Sequence, residues 1–351
     1  MSWVSQIARP DIVALEAYEP AAWEPELTRL HANELPWRSP GDESHAGLNR
    51  YPEPQPRALL ERLALLYGVA PHAVLVGRGS DEAIDLLVRA FCRAGEDAVL
   101  TLTPSFGMYA AAARIQGAQL LSVPLRPGAG FALDANAVLA RCTPAVKLVF
   151  LCSPNNPTGN LLSEAAILAI ADALAGRALV VVDEAYIEFA GRESLAREVQ
   201  RRPQLAVLRT LSKAHGLAGA RCGALIADPE VIALLRKVIA PYAVPQLAIE
   251  ALLRLLEPAA LLAVGERIAL LRAERSRMLA ALAQLPRVTR VWPSDANFLL
   301  AQFSDATAAL ERAREARLLV RDARAYPGLP QSLRITVGTA AQNEQLLEAW
   351  R

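Results

Sequence analysis

Three observations on the sequence predict an α/β fold with two domains. Short apolar runs alternate with amphipathic helical stretches from about residue 73 to residue 228, which is typical of a mostly parallel sheet covered by helices on both faces. Beyond residue 228, long helices rich in Ala, Leu, Arg and Glu precede short strands, which indicates a smaller α+β domain. The chain has 351 residues, of which 53% are hydrophobic, and this is enough for one large core and a smaller one.

The strands of the large domain are predicted from short runs rich in Val, Leu and Ala that end at polar or glycine residues. Helical patterns at 81–93 and 163–175 separate several of these runs, as expected when parallel strands are joined by crossover helices. The candidate strands are 73–77, 98–102, 146–151, 178–183, 205–210 and 222–227.

The remaining segments divide the chain into three parts. The first fifty residues are rich in Pro, Trp and turn-forming residues without clear periodicity, so we expect them to pack on the large domain or on a neighbouring subunit. After residue 228, helical patterns continue to about 285, short strands lie near 297–303 and 333–337 around a helix at 305–317, and a last helix begins near 340. The predicted boundaries are 1–45 for the N-terminal segment, 46–240 for the large domain and 241–351 for the small domain.

Charge and composition exclude several classes of function. The formal net charge is +1 and the arginines are scattered among carboxylates, so the sequence lacks the basic surface of a protein that binds nucleic acid or an anionic membrane. No signal-like or membrane-spanning apolar run is visible, and the cytoplasm is the predicted location. The four cysteines are widely separated and apolar in context, which favours buried reduced thiols and predicts no metal site.

Ligands of an open α/β sheet bind beyond the carboxyl ends of the strands, so the residues that follow each strand matter most. The first strand leads into G-R-G-S-D (77–81) and then into a helix. Free backbone N–H groups and the positive end of the helix dipole at Ser80 and Asp81 suit a phosphate. An ordinary Ser/Asp helix cap is the alternative, and it is the more common use of such residues.

Two further strand ends carry polar side chains. The loop S-P-N-N-P-T-G (153–159) contains Asn156, which could donate an amide hydrogen to a ligand oxygen or could simply form a turn. The next strand ends at Asp183, with Tyr186 three residues later. A carboxylate that closes a buried apolar strand requires a partner, which could be a backbone N–H or a protonated heteroaromatic nitrogen.

Lys213 follows the fifth candidate strand and Ser212. The chain has 37 basic residues but only three lysines, the others being Lys147 and Lys237. Arginine cannot lose its proton, whereas a lysine with a lowered pKa can attack the carbonyl of an aldehyde cofactor. A solvated surface charge is the alternative for Lys213 taken alone. Arg221 lies eight residues further on and could bind a phosphate. In combination, these residues predict a site for pyridoxal 5′-phosphate.

The motifs in this order resemble the fold-type I aminotransferases, from about residue 30 to the end. Fold-type I enzymes have a large domain with a mostly parallel seven-stranded sheet between helices and a smaller C-terminal α+β domain, so the resemblance implies that fold here. The motifs that carry it are S-P-N-N-P-T-G, D-E-A-Y, T-L-S-K-A-H-G-L-A-G-A-R-C-G, L-N-R-Y-P-E (48–53), T-P-S-F-G-M-Y (103–109) and L-R-I-T-V-G-T (333–339).

The resemblance implies a role for each cofactor residue. Lys213 would hold the cofactor as a Schiff base and then act as the catalytic base. Asp183 would pair with the pyridinium nitrogen, and Tyr186 would bind the ring hydroxyl oxygen. The other cofactor-binding residues would be Asn156 at that oxygen, Phe106 stacked on the ring, Ser80, Asp81, Ser212 and Arg221 around the phosphate, and Tyr51 reaching the phosphate from the neighbouring subunit. A homodimer with shared active sites follows from Tyr51.

The resemblance also implies the substrate residues. Arg334 and Arg321 would grip the anionic end of the substrate, because two forked guanidinium groups suit a phosphate dianion and can also hold a carboxylate. Asn33 and Tyr18 match N-terminal substrate contacts more loosely. Two departures from the family pattern stand out: Phe106 occupies a position where Tyr is common, and His215 occupies one where another aromatic residue is usual.

The implied reaction is amino-group transfer between L-histidinol phosphate and 2-oxoglutarate, which forms L-glutamate. Two alternatives share the cofactor residues: an aromatic or broad-specificity amino-acid aminotransferase, and a decarboxylase of phosphorylated amino acids. A transcriptional regulator built on the same domain is disfavoured because no basic helix-turn-helix pattern is visible.

Overall fold

A mixed seven-stranded sheet forms the centre of the large domain. The computed structural model describes residues 2–24 and 26–351. The strand order is β1-β7-β6-β5-β4-β2-β3, and all neighbouring strands are parallel except β7, which is antiparallel to both β1 and β6. The strands are β1 (Val74–Gly77), β2 (Ala98–Thr103), β3 (Gln119–Pro124), β4 (Val146–Cys152), β5 (Leu179–Asp183), β6 (Leu205–Thr210) and β7 (Gly223–Ile226).

Helices cover both faces of this sheet, as the continuous apolar strands require. In β5, Val180 and Val182 point into one core and Leu179 and Val181 into the other, so a run of consecutive apolar residues is buried on both sides. The helices of this part are α1 (Trp3–Ile7), α2 (Pro10–Ala14), α3 (Arg57–Tyr67), α4 (Ser80–Phe91), α5 (Met108–Gln116), α6 (Ala135–Arg141), α7 (Glu164–Ala173) and α8 (Pro229–Arg236).

The small domain is a four-stranded antiparallel sheet with helices packed against it. Its strand order is β10-β11-β9-β8, and its core includes Trp350 and Phe303, whose rings are 5.0 Å apart. The elements are α9 (Gln246–Leu255), α10 (Pro258–Ala283), β8 (Val288–Trp292), β9 (Phe298–Phe303), α11 (Ala306–Glu315), β10 (Arg321–Asp322), β11 (Ser332–Thr336) and α12 (Ala340–Trp350).

The predicted fold class is confirmed, including the count of seven strands in a mostly parallel sheet. Several elements had not been located in the sequence, among them the edge strand β3, the strands β8 and β10, and the helices α1 and α2 within the first fifty residues. Val4 and Ile7 of α1 are buried against the large domain, which accounts for its position. The domain boundaries at 45/46 and 240/241 stay a prediction.

Membrane-spanning helices and metal-binding clusters are both absent from the described residues. Among residues 2–24 and 26–351, no helix is both long and apolar enough to cross a membrane. The same residues contain no group of three His, Cys, Asp or Glu side chains arranged to hold a metal ion.

Candidate active site

A cavity of about 330 Å³ lies at the carboxyl ends of β5 and β6, between the large sheet and the small sheet. Eleven of the fourteen residues predicted to form the site line it. These eleven are Ser80, Asp81, Phe106, Asn156, Asp183, Tyr186, Ser212, Lys213, Arg221, Arg321 and Arg334.

One end of the cavity is built from glycine backbone and the start of α4. Gly79 has φ +87°, and a Cβ placed there would lie 2.9 Å from Nη2 of Arg221. A Cβ on Gly223 would lie 2.5 Å from the backbone nitrogen of Ser80. No side chain caps α4, so its first N–H groups are free to bind an anion beside the Arg221 guanidinium. Arg221 also contacts Asp81, with 3.4 Å between Nη2 and Oδ2.

Asp183 lies at the opposite wall and is 2% exposed. Its Oδ1 accepts a hydrogen bond from the backbone N–H of Ala185 at 3.1 Å, and its Oδ2 accepts one from the Tyr109 hydroxyl at 2.6 Å. Burial raises the pKa of the Asp183 carboxyl, and the hydrogen bond from Tyr109 opposes that effect. A buried carboxylate of this kind favours a cationic partner in the cavity.

Lys213 extends into the cavity beside Tyr186, with 5.8 Å between Nζ and the centre of the ring. Within the described part of the chain, no carboxylate lies at salt-bridge distance from Nζ. Withdrawal from water and the nearby charge of Arg334 lower the pKa of the Lys213 amine. A lowered pKa increases the neutral, nucleophilic fraction of the amine near neutral pH.

Asn156 and Arg334 join the two sheets across the cavity. Nη1 of Arg334 donates a hydrogen bond to Oδ1 of Asn156, and Nδ2 of Asn156 lies 3.5 Å from the Tyr186 hydroxyl. The Arg334 guanidinium also lies 5.3 Å from the centre of the Phe298 ring. Its Nε is buried and has no hydrogen-bond partner among the described residues.

Arg321 and Arg334 are direct neighbours in the β10–β11 pairing. Neither forms a salt bridge with a carboxylate in residues 2–24 and 26–351. Two uncompensated guanidinium groups on one wall create a positive potential that suits a doubly charged anion.

Three predicted residues lie outside the cavity of their own chain. Tyr51 is 49% exposed and stacks on Tyr242, with ring centres 4.5 Å apart. Tyr18 is 71% exposed, and Asn33 is exposed with φ 57°. Their predicted roles stay predictions.

Two residues near the site were not predicted to belong to it. Tyr326 lines the cavity with Arg321 and Arg334, and no periodicity marks it in the sequence. Tyr109 stands in the motif T-P-S-F-G-M-Y, but its contact with Asp183 joins residues 74 positions apart.

His215 is half-buried, and its Nδ1 has no hydrogen-bond partner in the described residues. Burial lowers the pKa of its imidazole.

Residues 25–349 match the model of the family described as aminotransferase class I and II. The chain belongs to that family. It is therefore an aminotransferase by family, and the cavity that contains Lys213 is its candidate active site.

Individual relatives of this aminotransferase are similar over most of the chain. A histidinol-phosphate aminotransferase of Stenotrophomonas maltophilia is 50% identical over 99% of this chain and 96% of its own length. The crystal structure of histidinol-phosphate aminotransferase from Sinorhizobium meliloti in complex with pyridoxal-5'-phosphate has a TM-score of 0.78 at 26% identity, covering 86% of this chain and 82% of that one. L-Threonine-O-3-phosphate decarboxylase from Porphyromonas gingivalis has a TM-score of 0.74 at 28% identity, covering 86% and 90%.

Proposed function

We propose that this aminotransferase uses pyridoxal 5′-phosphate to transfer the amino group of L-histidinol phosphate to 2-oxoglutarate, which yields imidazole acetol phosphate and L-glutamate in histidine biosynthesis. The relative from Stenotrophomonas maltophilia, 50% identical over nearly the full length, supports this substrate. The observation in the structure that carries the proposal is the pair of uncompensated guanidinium groups of Arg321 and Arg334.

The cavity fits pyridoxal 5′-phosphate because each of its walls matches one part of that molecule. The glycine-lined end with the first turn of α4 suits the phosphate, the buried Asp183 suits a protonated ring nitrogen, and Lys213 suits the aldehyde carbon. The remaining contacts would come from Ser212 and Arg221 at the phosphate, Phe106 at the ring face, and Asn156 and Tyr186 at the ring hydroxyl oxygen. When bound, the cofactor supplies an electron sink for the bonding electrons of the substrate α-carbon.

The protein's own groups would perform the proton transfer and hold the substrate. Lys213 Nζ would take the proton from the substrate α-carbon, since its lowered pKa provides the neutral amine that a base requires. Arg321 and Arg334 would hold the phosphate of L-histidinol phosphate and the distal or α-carboxylate of glutamate in turn. The hydrogen bond from Arg334 to Asn156 fixes the guanidinium plane before substrate arrives.

Substrate preference can be measured from the visible absorption of the cofactor-loaded protein. We expect L-histidinol phosphate to convert the spectrum at a concentration at least about tenfold lower than L-phenylalanine does, because only the phosphate offers two charges to two guanidinium groups. L-Glutamate should produce the same spectral change, since it is the donor in the reverse half-reaction. A stronger response to L-phenylalanine would favour an aromatic aminotransferase.

A decarboxylase of phosphorylated amino acids is the second candidate, because the phosphothreonine decarboxylase of Porphyromonas gingivalis shares the fold at 28% identity. Such an enzyme releases carbon dioxide and needs no keto acid. Multiple-turnover assays with L-histidinol phosphate should therefore depend strictly on added 2-oxoglutarate. Turnover of O-phospho-L-threonine without any keto acid would instead support the decarboxylase.

We also propose a homodimer in which Tyr51 completes the partner's site, and a cytoplasmic location. The proposed dimer is supported by exposed apolar side chains that precede Tyr51 in the chain. They are Leu27, Leu30, Leu35, Trp37 and Leu48, each exposed by 51% or more, and an excess of exposed apolar side chains in one segment favours an interface.

Mixed dimers give a test of shared sites. Lys213→Ala dimers should be inactive and Tyr51→Ala dimers should bind the cofactor about tenfold more weakly, the value of a lost hydrogen bond to a charged group. In a hybrid of the two variants, one site combines an intact Lys213 with an intact Tyr51. The assay should use a cofactor concentration near the native dissociation constant, where the Tyr51→Ala sites stay mostly empty. Mixing the variants under conditions of subunit exchange should then raise activity above that of either variant alone, and light scattering should give the mass of a dimer. A monomer, or a mixture without recovery, would contradict the proposal.

A further inference from the structure

The Tyr109 hydroxyl donates a hydrogen bond to the buried carboxylate of Asp183. The distance from the hydroxyl to Oδ2 is 2.6 Å, and both side chains are buried, with Tyr109 at 0% and Asp183 at 2% exposure. The only other hydrogen bond to this carboxyl within the described residues is the one from the Ala185 backbone N–H to Oδ1. Each oxygen thus keeps one acceptor position free for a ligand.

The ring of Tyr109 is held firmly in place by aromatic neighbours. It stacks on Phe150 of β4, with ring centres 4.8 Å apart and planes at 6°. Phe106, which lines the cavity, packs against the same ring in a T-shaped arrangement, with ring centres 5.6 Å apart. These two aromatic contacts restrict the orientation of the ring, so the hydrogen bond from its hydroxyl to Asp183 is formed before a ligand binds.

We propose that Tyr109 is a positioning residue that keeps Asp183 ionised and oriented toward the ring nitrogen of the cofactor. The proposal rests on the proposed function, because Asp183 has a pyridinium partner only if the cavity binds pyridoxal 5′-phosphate. Tyr109 itself does not line the cavity, and it acts through the carboxylate.

The electrostatics of the pair agree with this role. Burial raises the pKa of Asp183, which favours the neutral acid, whereas a donated hydrogen bond stabilises the carboxylate. Burial and the neighbouring Asp183 hold the pKa of the Tyr109 phenol well above its ordinary value, so the phenol keeps its proton and remains a donor. Cys152 also lies against Asp183 and Tyr109, and burial raises the pKa of its thiol, so it stays neutral. Asp81 and Lys213 are the other charged groups that act on the Asp183 carboxyl.

Replacing Tyr109 with Phe preserves the aromatic stack and removes only the donor. We expect the dissociation constant of pyridoxal 5′-phosphate to rise about tenfold at neutral pH, the usual effect of a lost hydrogen bond to a charged group. Without the donor the pKa of Asp183 rises further, and the carboxylate is lost at a higher pH. The weakening of cofactor binding on acidification should therefore begin at higher pH in the variant than in the native protein.

Tyr67→Phe is the matched control. Tyr67 is also buried, and its hydroxyl has no hydrogen-bond partner among the described residues. Its removal tests the effect of deleting a buried phenol oxygen elsewhere in the large domain, and we expect an unchanged dissociation constant and pH dependence.

A double-mutant cycle with Asp183→Asn separates positioning from simple packing. If Tyr109 acts through the carboxylate, Tyr109→Phe should have little further effect on cofactor affinity in the Asp183→Asn background. If Tyr109 serves only to fill space, its effect is the same in both backgrounds. Site-specific 3-fluorotyrosine at position 109 keeps the ring and strengthens the donor, so the acidic weakening of binding should move to lower pH.

The outcomes distinguish this inference from the proposed function. A native protein that does not bind pyridoxal 5′-phosphate would contradict the proposed function. The role of Tyr109 alone would be overturned if the native protein binds pyridoxal 5′-phosphate and the Tyr109→Phe variant has the same pH dependence and a dissociation constant within about twofold of the native value. If Tyr109→Phe does not fold, the protein with 3-fluorotyrosine at position 109 provides the test. The proposal is refuted if its cofactor binding weakens on acidification at the same pH as that of the native protein.

Discussion

Lys213→Ala should abolish amino-group transfer, with a loss of more than about four orders of magnitude in kcat, as is usual when a covalent catalytic group is removed. Lys213 is the only lysine that lines the cavity, and no arginine can replace it because a guanidinium does not deprotonate. The variant should still bind pyridoxal 5′-phosphate, since the glycine-lined end of the cavity and Asp183 are unchanged. The loss therefore belongs to the chemistry and not to the fold.

Two measurements and one control make this prediction specific. Borohydride reduction followed by mass spectrometry should attach the cofactor to Lys213 in the native protein and leave the variant unmodified. Lys147→Ala is the matched control, because Lys147 lies outside the cavity and its Nζ donates a hydrogen bond to the backbone oxygen of Pro144, and it should keep full activity. A Lys213→Ala enzyme that retained more than about 1% of the native kcat would contradict the assignment of Lys213.

Arg334→Gln should reduce kcat/KM for L-histidinol phosphate by about 100- to 1000-fold, which corresponds to roughly 3 to 4 kcal/mol for losing a charged, forked contact to an anion. Most of the loss should be in KM, because Arg334 would hold the phosphate before and during the reaction. Cofactor affinity should change little. Arg334 is also a cause of the lowered pKa of Lys213, so in the variant the pKa of the unliganded amine should rise, and covalent capture of the cofactor should require a higher pH.

Arg290→Gln offers a closely matched control. Arg290 belongs to the same small sheet and lies 4.9 Å from the centre of the Trp292 ring, as Arg334 lies over Phe298, but it is outside the cavity. Its loss should leave KM unchanged. If Arg334→Gln and Arg290→Gln behave alike, the anion site is elsewhere.

Local sequence patterns predicted most of the large sheet because its central strands are buried on both faces and read as continuous apolar runs. The edge strand β3 escaped prediction because much of Q-L-L-S-V-P is exposed, with only Val123 buried. The strand β8 has the sequence V-T-R-V-W, and Trp292 is its one buried residue. It escaped prediction for the same reason. Exposed strands depend on pairing with a neighbour, and a single sequence does not reveal that pairing.

The candidate site was predictable wherever a residue follows a strand or begins a helix. Asp183, Ser212 and Lys213 were located in this way, and all three line the cavity. The contacts that link distant segments were not predictable, because tertiary packing alone creates them. The hydroxyl of Tyr109 reaches Asp183 only because Phe150 orients its ring, and Arg334 meets Asn156 across 178 residues of chain.

Because of the contact between Arg334 and Asn156, substrate binding should also stabilise the packing of the small sheet against the large domain. Arg334 belongs to the small sheet and Asn156 to a loop of the large domain. An anion bound between Arg334 and a cofactor held by the large domain would therefore link the small sheet to the large domain reversibly. Ligand that binds only the linked state lowers the equilibrium population of the opened state by the factor 1 + [L]/Kd. Amide hydrogen exchange in β11 should therefore slow as substrate is added, while exchange in remote α6 stays constant.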